Sequence, residues 1–499
     1  MSTKKNQELF AGLPPYSNGQ VSEKTFNGGY GLCDSRVIEN PDDTGAFKNG
    51  EKMSGDEFRD RIESGLTFRS FAYSPTGSVR LVYLHNNRMV LADYENGTVS
   101  TSFLDMYCPG DAKPELVRVV TGTDREAFLQ YIGALEKGGF RQTGRSELEN
   151  NLFLEYEKDG RLIECEFFGN TKKAVFIDDP CSCPLDRIGY EADPSVCVEW
   201  FQYGLNHRRM VSGFTCDCGM CYVLRLSDNS LVVVDGGEVE QITARTAEGL
   251  WNLMCRITAT PADGKIRIAA WYCTHAHNDH AEMFAFLLKQ HHEQLELERV
   301  LFNYPDPAET YIVPQLYHVI NRIREYYPDV LFRKLHTGDR IRLAGEHLTV
   351  LQSHEAGYGA EGSPFTGHMN DTSTVLKVES GPCSLLLLGD IDQAAEKVLL
   401  ENYTEKALHA NVVQAAHHVF NFLISLYDVV HADYCFVPQN PSQRYGGDRF
   451  KFAQIAKTVP YHHFLFAGAG TDGLKIENGG LSHYFHQPLI ADLYDGSRP

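Results

Sequence analysis

The sequence has no apolar run long enough to cross a membrane. A membrane-spanning helix needs roughly 18 or more consecutive apolar residues, and no window of the 499-residue chain approaches that length. Residues Met1 to Gln20 are polar and contain Pro14-Pro15, so they lack the apolar core of a secretory signal. We therefore expect a cytoplasmic protein with no membrane partner, whose 13 cysteines are free thiols in a reducing compartment.

Basic residues are also comparatively scarce. There are 46 Lys and Arg against 66 Asp and Glu, which gives a formal net charge of −20. Because binding to phosphate backbones depends on a basic surface, this balance disfavours nucleic acid as a partner, although it is compatible with a local basic groove. We expect a small-molecule substrate, and the composition does not fix the oligomeric state.

The chain is too long for one ordinary core. At roughly 100–200 residues per domain, this length predicts two or three domains. We expect an irregular N-terminal segment over 1–65, which has few apolar clusters and many Gly, Asn, Asp and Lys residues. A small α+β accessory domain over 66–190 and a catalytic α/β domain over 195–490 follow. The linker is predicted between Asp178 and Asp193, where prolines interrupt the pattern.

The accessory domain is predicted from one helix and several strand-like runs. Thr123 and Glu126 have the spacing of a capping box, which predicts that a helix begins at Thr123. Four apolar residues share one face of that helix: Phe128, Tyr131, Ile132 and Leu135. Strand-like runs separated by turn residues lie on both sides of it, so the segment has the pattern of a helix packed on an antiparallel sheet.

Four potential metal ligands follow a buried strand in the second half of the chain. The apolar run Ile266–Cys273 predicts the strand. His275 and His277 lie two residues apart, so they point the same way on extended backbone. Asp279 and His280 form a second pair. We predict two cations side by side, one on each pair, with zinc as the metal and manganese or iron as alternatives.

Two later strands end in residues of the same kind. The run from Ser384 to Leu388 is followed by Gly389-Asp390, and the run from Val412 to Ala416 is followed by His417-His418. Strands and helices alternate through this region, and strands repeatedly end in potential ligands. The pattern predicts an α/β layered domain with its site at the strand ends.

The motif His-x-His-x-Asp-His at His275–His280 resembles the signature of the metallo-β-lactamase superfamily. The resemblance covers about 200–485 and includes two further positions. Asp235-Gly236-Gly237 is similar to the Asp-x-Gly that follows an early strand in that family, and Asp390 stands where an aspartate bridges the two metals. The resemblance implies an αββα sandwich in which Asp390 bridges two divalent ions.

A closer resemblance rests on four motifs in one order. They are Asn370-Asp371-Thr372-Ser373-Thr374-Val375-Leu376, Leu387-Leu388-Gly389-Asp390, Ala415-Ala416-His417-His418 and Gly470-Thr471-Asp472-Gly473. Together they resemble the soluble hydrolase domain of bacterial competence DNA-uptake proteins and its stand-alone relatives. The sequence departs from that pattern where Val419-Phe420, instead of Gly-Ser, follows the histidine pair.

The resemblance also implies the remaining ligands and the catalytic residues. His368 lies near the position of the superfamily's third histidine, with Asn370 as the alternative, and His417 or His418 supplies the last ligand. Two divalent ions would generate a bridging hydroxide. Asp279 would orient the attacking water and take its proton. A metal-bound water, or whichever of His368, His417 and His418 is not a ligand, would protonate the leaving group.

These features predict a dinuclear-metal-dependent hydrolase, with phosphodiesterase or other small-ester activity. The competence-type resemblance favours phosphodiester chemistry. One alternative is a mononuclear-iron oxidoreductase of the sulfur dioxygenase type. Another is a non-catalytic metal-binding module, which would be expected to lose ligands that this chain retains.

Overall fold

A computed structural model describes most of the chain. The described residues are 13–16, 18–26, 34–39, 43–65, 69–73, 79–85, 88–107, 115–179, 197–205, 209–211, 214–216, 219–237, 243–261, 264–305, 323–359, 362–365, 368–441 and 449–489. Mixed sheets and helices confirm the prediction of an α/β protein.

The largest sheet has nine strands and contains the predicted strand Ile266–Cys273. Parallel neighbours flank that strand, Leu231–Asp235 on one side and Arg299–Phe302 on the other. In spatial order the strands are Leu331–Lys334, Arg299–Phe302, Ile266–Cys273, Leu231–Asp235, Cys221–Arg225, Val198–Gln202, Gly470–Glu477 and Gly480–Pro488, and Leu295–Leu297 also pairs with Ile266–Cys273.

A second sheet has seven strands. Its first half is antiparallel, and its second half, which begins at Cys383–Leu387, is parallel. In spatial order the strands are Arg340–Leu343, Glu346–Gln352, Val375–Ser380, Cys383–Leu387, Val412–Gln414, Tyr434–Val437 and Phe464–Phe466.

These two sheets share a buried apolar core. Side chains of both belong to one cluster, including Tyr222 and Val234 of the nine-stranded sheet and Leu376 and Leu385 of the seven-stranded sheet. Alternate residues point to the opposite faces, where they pack against helices. Helices Thr243–Thr258 and Glu282–Gln290 contribute to the cluster beside the nine-stranded sheet. Helices Gln393–Asn402, Glu405–Leu408, Leu426–Val430 and Arg449–Ile455 contribute to the cluster beside the seven-stranded sheet.

A third, antiparallel sheet is backed by the helix Arg125–Lys137. Its strands are Gln20–Phe26, Glu115–Thr121, Lys173–Asp179, Arg161–Phe168, Asn151–Lys158 and Arg141–Leu148. The four predicted face residues of the helix are all buried. The predicted cap is wrong, because Asp124 and not Thr123 is the N-cap, and its side chain accepts a hydrogen bond from the backbone N–H of Ala127. The Thr123 hydroxyl instead contacts the Tyr16 hydroxyl, 2.7 Å away.

The remaining sheets lie mostly near the N-terminus. An antiparallel meander contains Asp34–Glu39, Thr98–Tyr107, Arg88–Glu95, Val79–His85 and Arg69–Tyr73, with Glu51–Lys52 beside Thr98–Tyr107, and a separate pair contains Arg209–Val211 and Phe214–Cys216. The strands predicted for one accessory unit are thus divided between two sheets.

The prediction of an irregular segment over 1–65 is wrong for the part that the structure describes. Strands Gln20–Phe26 and Asp34–Glu39 and the helix Gly55–Gly65 lie within it. Gln20–Phe26 pairs with Glu115–Thr121, almost a hundred residues away, so short-range sequence patterns do not reveal it. Asp178 and Asp179, the first residues of the linker predicted between Asp178 and Asp193, end the strand Lys173–Asp179. The rest of that linker lies outside the described residues, and the domain boundaries stay a prediction.

Buried ion pairs connect the helix-backed sheet to the edge strand Leu331–Lys334. Arg333 is fully buried and contacts Glu155, Glu164 and Asp339 at 3.0, 2.6 and 2.9 Å. Lys334 pairs with Glu115 of the helix-backed sheet. Because unpaired charges are costly to bury, these cations offset part of the carboxylate charge where the two units meet.

The other helical segments are short 3-10 turns. They are Asn278–His280, Ile323–Glu325, His354–Gly357, Asn370–Thr372, Ala416–Val419 and Tyr461–His463. Of the helices that the structure describes, none has the length and apolar character needed to cross a bilayer. The predicted cytoplasmic location stays a prediction.

Candidate metal centre

The predicted ligands meet at one edge of the two large sheets. His275 and His277 follow the strand Ile266–Cys273, and Asp390 follows Cys383–Leu387 in the facing sheet. A backbone hydrogen bond from Thr374 N to Thr274 O, 2.8 Å long, joins the two sheets beside them. Carboxyl ends of strands form such ligand-binding edges in α/β proteins.

The first group of ligand atoms comes from His275, His277 and Asp390. Their ligand atoms lie within 4.8 Å of one another. Nε2 of His275 is 3.0 Å from Nδ1 of His277 and 3.9 Å from Oδ2 of Asp390. His275 and Asp390 are buried, and His277 is half-buried, so the group lies just inside the surface.

The second group comes from Asp279, His280 and His418, within the same 4.8 Å limit. Oδ2 of Asp279 lies 3.2 Å from Nε2 of His418 and 3.7 Å from Nε2 of His280. Oδ2 of Asp390 lies 3.2 Å from Nε2 of His280 and 3.6 Å from Nε2 of His418. Asp390 therefore lies between the two groups.

The donor set fits divalent metal ions. Imidazole nitrogens and carboxylate oxygens are the ligands that zinc and its first-row neighbours accept. Nε2 of His280 and Oδ1 of Asp390 are buried without a hydrogen-bond partner among the described residues. Such an atom costs about 1–3 kcal/mol when nothing satisfies it, and a cation within reach of both groups would remove that cost.

Burial and charge keep the three residues of the first group in metal-binding protonation states. Burial lowers the pKa of His277 to about 4, although the carboxylates of Asp279 and Asp390 oppose the shift. Burial lowers the pKa of His275 as well. Burial alone would raise the pKa of Asp390, but His280 and His418 outweigh it and hold that pKa well below its usual range. The first group is thus a pair of neutral imidazoles beside a carboxylate at neutral pH.

Asp235 is a site residue that the sequence prediction did not include. Its Oδ2 lies 2.7 Å from Nδ1 of His280, and its Oδ1 accepts a 2.9 Å hydrogen bond from the backbone N–H of Thr274. A carboxylate on the far nitrogen fixes the ring orientation and tautomer of a ligating histidine. In the sequence, Asp235 could have been recognised by its place at the end of a strand, directly before Gly236-Gly237. In the structure, that strand lies next to Ile266–Cys273 in the sheet.

Two glycines allow the backbone to approach the ligands closely. A Cβ at Gly219 would lie 1.3 Å from the carbonyl oxygen of Asp279. Gly389 has a φ of 57°, in the left-handed region, and a Cβ there would lie 2.8 Å from Cβ of Ser373 and 3.0 Å from Cβ of Thr274. Only glycine fits both positions without displacing a strand end that carries ligands.

The structure separates the candidates that the sequence left open. His418, and not His417, belongs to the second group. Nε2 of His417 lies 3.9 Å from Oδ2 of Asp390 and 3.0 Å from Nδ2 of Asn370, so both residues lie beside the first group. His368 is exposed and belongs to neither group. Its role as a ligand stays a prediction.

The histidine pair is held by an unusual backbone turn. His417, His418 and Val419 have φ values of 46°, 48° and 62°. The left-handed conformation costs roughly 1–2 kcal/mol per residue without glycine, and a β-branched residue such as Val419 rarely adopts it. A backbone hydrogen bond from His417 N to Gly389 O and a hydrogen bond from the Gln439 side-chain amide Nε2 to His418 O hold the turn in place. Strain of this kind is concentrated at functional sites.

Comparisons with known proteins give little independent support. No protein-family model and no curated protein matches the chain. Among solved structures, part of the chain is similar to the metallo-β-lactamase fold protein YhfI from Bacillus subtilis. The alignment covers 56% of this chain and 100% of YhfI, with 10% identity and a TM-score of 0.33. At that TM-score the similarity carries no argument about this chain.

Proposed function

We propose that this chain is a metal-dependent hydrolase that uses two divalent metal ions on a phosphoester or another small ester. The observation that carries the proposal is the pair of three-residue groups with Asp390 between them. Zinc is the proposed metal, with manganese and iron as alternatives. The proposal includes the relationship to the metallo-β-lactamase superfamily, and within it to the competence-type hydrolases.

The proposed fold is the αββα sandwich of that superfamily, preceded by accessory sheets. Two observations support it. The nine-stranded and seven-stranded sheets contribute side chains to one core, and helices pack on the outer face of each. The accessory role of the N-terminal sheets is proposed because neither metal-ligand group includes a residue from the part of them that the structure describes.

Each residue of the centre has a proposed role. His275 and His277 would hold one ion, Asp279, His280 and His418 the other, and Asp390 would contact both. Ions bound there would supply an acidified water and polarise the substrate oxygen. The Asp279 side chain is 21% exposed, whereas that of Asp390 is 2% exposed, so Asp279 is the carboxylate that solvent and substrate reach.

The reaction is a simple hydrolysis. The oxygen of water forms a bond to phosphorus or to the acyl carbon, and the bond to the leaving alcohol breaks. Asp279 is placed to take the proton of the attacking water. His417 lies beside the first group and belongs to neither group, so it is the proposed donor of the proton that the leaving alcohol receives. A small-molecule substrate is proposed over nucleic acid because the chain carries a net charge of −20.

Elemental analysis combined with a substrate panel tests the proposal. The purified protein would be assayed on bis(4-nitrophenyl) phosphate, 4-nitrophenyl acetate and a thioester, and its metal content measured. We expect about two metal ions per chain and turnover of the phosphodiester. His277→Ala should reduce metal content and turnover together. Turnover that persists without metal would overturn the mechanism.

Two outcomes would point to the alternative functions. One iron per chain with oxygen uptake in the presence of a persulfide would identify a sulfur dioxygenase. Bound metal without turnover of any substrate would indicate a non-catalytic binding module. The first result is distinguished from hydrolysis by metal content and oxygen consumption, and the second by the absence of turnover in a metal-loaded protein.

A further inference from the structure

A phenylalanine lies beside the ligand His418 at the edge of the metal centre. The ring centroid of Phe420 is 5.7 Å from that of His417 and 5.9 Å from that of His418. The left-handed turn at 417–419 causes this placement, because it folds the chain back on itself. The backbone N–H of Phe420 donates a 2.6 Å hydrogen bond to the carbonyl of His417 and closes the turn.

The segment that follows exposes large apolar side chains to solvent. Phe422 is 42% exposed and Ile424 is 59% exposed, whereas Leu423 between them is 1% exposed. Leu423 therefore anchors the segment in the core while its neighbours face outward. Exposed apolar side chains in the residues that directly follow a polar site are typical of ligand-binding surfaces.

Hydrogen bonds hold this segment in one position. Lys451 and Gln454, both on the helix Arg449–Ile455, donate to the carbonyls of Phe420 and Ile424. The buried carboxylate of Glu396 accepts from the backbone N–H groups of Ile424 and Ser425, at 2.9 and 2.7 Å. The apolar surface is therefore preformed and would not have to be ordered when a ligand binds.

The sequence departs at this point from the pattern it otherwise resembles. Val419-Phe420 stands where Gly-Ser is usual, and the substitution brings both backbone strain and an aromatic ring to the site. Glycine would adopt the left-handed conformation without strain. The strained turn that includes Val419 places the Phe420 ring beside the two histidines, which links the two features in one function.

We propose that Phe420, flanked by Phe422 and Ile424, binds an apolar or aromatic substituent of the substrate. The preferred substrate is then a phosphoester or ester that carries an aromatic or bulky apolar group. Phe420 lies close enough to a ligand to contact a group bonded to the reacting atom, and aromatic rings pack favourably at such centroid distances. This inference rests on the proposed function and names the substrate class for it.

A pair of diesters with one leaving group tests the assignment. The zinc-loaded protein would be assayed on phenyl 4-nitrophenyl phosphate and methyl 4-nitrophenyl phosphate. Wild type should prefer the phenyl ester. Phe420→Ala should reduce the ratio of kcat/KM for the phenyl ester to kcat/KM for the methyl ester about tenfold. The intrinsic reactivities of the two esters cancel when this ratio is compared between wild type and variant. Tyr461→Ala is the matched control, because Tyr461 is a 48% exposed aromatic residue outside the metal-ligand groups.

A binding measurement distinguishes this inference from the proposed hydrolysis. Calorimetric titration with phenylphosphonate and methylphosphonate needs no turnover, and we expect wild type to bind the phenyl compound about tenfold more tightly. Phe420→Leu keeps apolar volume, so it should retain part of the preference if Phe420→Ala fails to fold. Equal affinities in wild type, or a preference unchanged in a folded, zinc-loaded Phe420→Ala protein, would overturn the inference. Selective binding without turnover would instead overturn only the proposed hydrolysis.

Discussion

Oδ2 of Asp235 lies 2.7 Å from Nδ1 of His280, and both side chains are fully buried. The carboxylate holds the proton of Nδ1, which leaves Nε2 of the same ring facing Asp279 and Asp390 at 3.7 and 3.2 Å. A residue 45 positions before His280 in the sequence thus decides which nitrogen of His280 can bind a metal. This contact orients the second group before any ion arrives.

The Asp235 contact predicts the effect of removing its charge. Asp235→Asn keeps the shape of the side chain but weakens its hold on His280, so we expect zinc affinity at the second group to fall about 10- to 100-fold. Competition with a chromophoric chelator measures the change. Asp472→Asn is a matched control, because Asp472 is buried and contacts His483 and His486 at 2.8 Å but belongs to neither group. Equal zinc affinity in wild type and Asp235→Asn would contradict the role.

The number of zinc ions per chain should depend on which of the two groups is intact. His277→Ala removes a ligand of the first group and His418→Ala one of the second, so each should lower zinc from about two ions per chain to about one. Asp390→Asn should lower the zinc content of both groups. Elemental analysis after dialysis checks these values. His368→Ala should leave the content unchanged because that side chain is exposed and outside both groups. A loss equal to that of His277→Ala would show that His368 is a ligand.

Local sequence patterns were sufficient for the elements next to the metal centre. The strand Ile266–Cys273 has the predicted bounds. Its continuous apolar run predicts a buried strand without help from distant residues. Ligand identity at the strand ends could be predicted for the same reason, since polar groups directly after a buried strand have few structural uses.

Features that depend on distant contacts could not be predicted. Asp235 reaches His280 only because Leu231–Asp235 pairs in parallel with Ile266–Cys273. The sequence could not separate His418 from His417. The left-handed turn that directs the His418 ring toward Asp279 contains no glycine that would have predicted it. Gln20–Phe26 is a strand only by pairing with Glu115–Thr121. Pairing partners and tertiary strain override local propensity in each case.

Gly219 should not tolerate a side chain. An added Cβ would lie 1.3 Å from the backbone carbonyl oxygen of Asp279, so the chain would have to move at a ligand. We expect Gly219→Ala to lower the free energy of unfolding by about 1–3 kcal/mol or more and to reduce zinc binding. Thermal unfolding and elemental analysis measure the two effects. Gly133→Ala is the control, because nothing lies within 4 Å of its Cβ in a helix and alanine should stabilise it by up to about 1 kcal/mol.

Arg333 should be important for the junction between the helix-backed sheet and the nine-stranded sheet. Arg333→Met would leave Glu155, Glu164 and Asp339 buried without their cation. Removing one partner of a buried ion network typically costs about 3–5 kcal/mol, which denaturant unfolding would measure. Arg145→Met provides the comparison, since Arg145 is 51% exposed and pairs with Glu147 at 3.3 Å. An exposed pair contributes under about 1 kcal/mol, so equal losses would contradict the proposed importance of burial.

His336 predicts how the stability of the same junction depends on pH. Burial alone would lower the pKa of His336, but Glu355 and Asp179, whose oxygens lie 3.3 and 3.2 Å from its ring nitrogens, outweigh burial and raise that pKa well above 6.5. The protonated form is therefore favoured in the native state. Its contribution is fully present below the unfolded pKa of about 6.5 and is lost as the pH rises through the native pKa.

His336→Gln should therefore destabilise the protein more at pH 6 than at pH 9. Thermal unfolding midpoints of wild type and variant at the two pH values give the comparison, with a larger gap expected at pH 6. His462→Gln replaces an exposed histidine and should cost under about 0.5 kcal/mol. A gap for His336→Gln that is equal at both pH values would mean that Glu355 and Asp179 do not hold a charged imidazole between them. Of the cations described at the junction, only Arg333 and Lys334 would then form ion pairs across it.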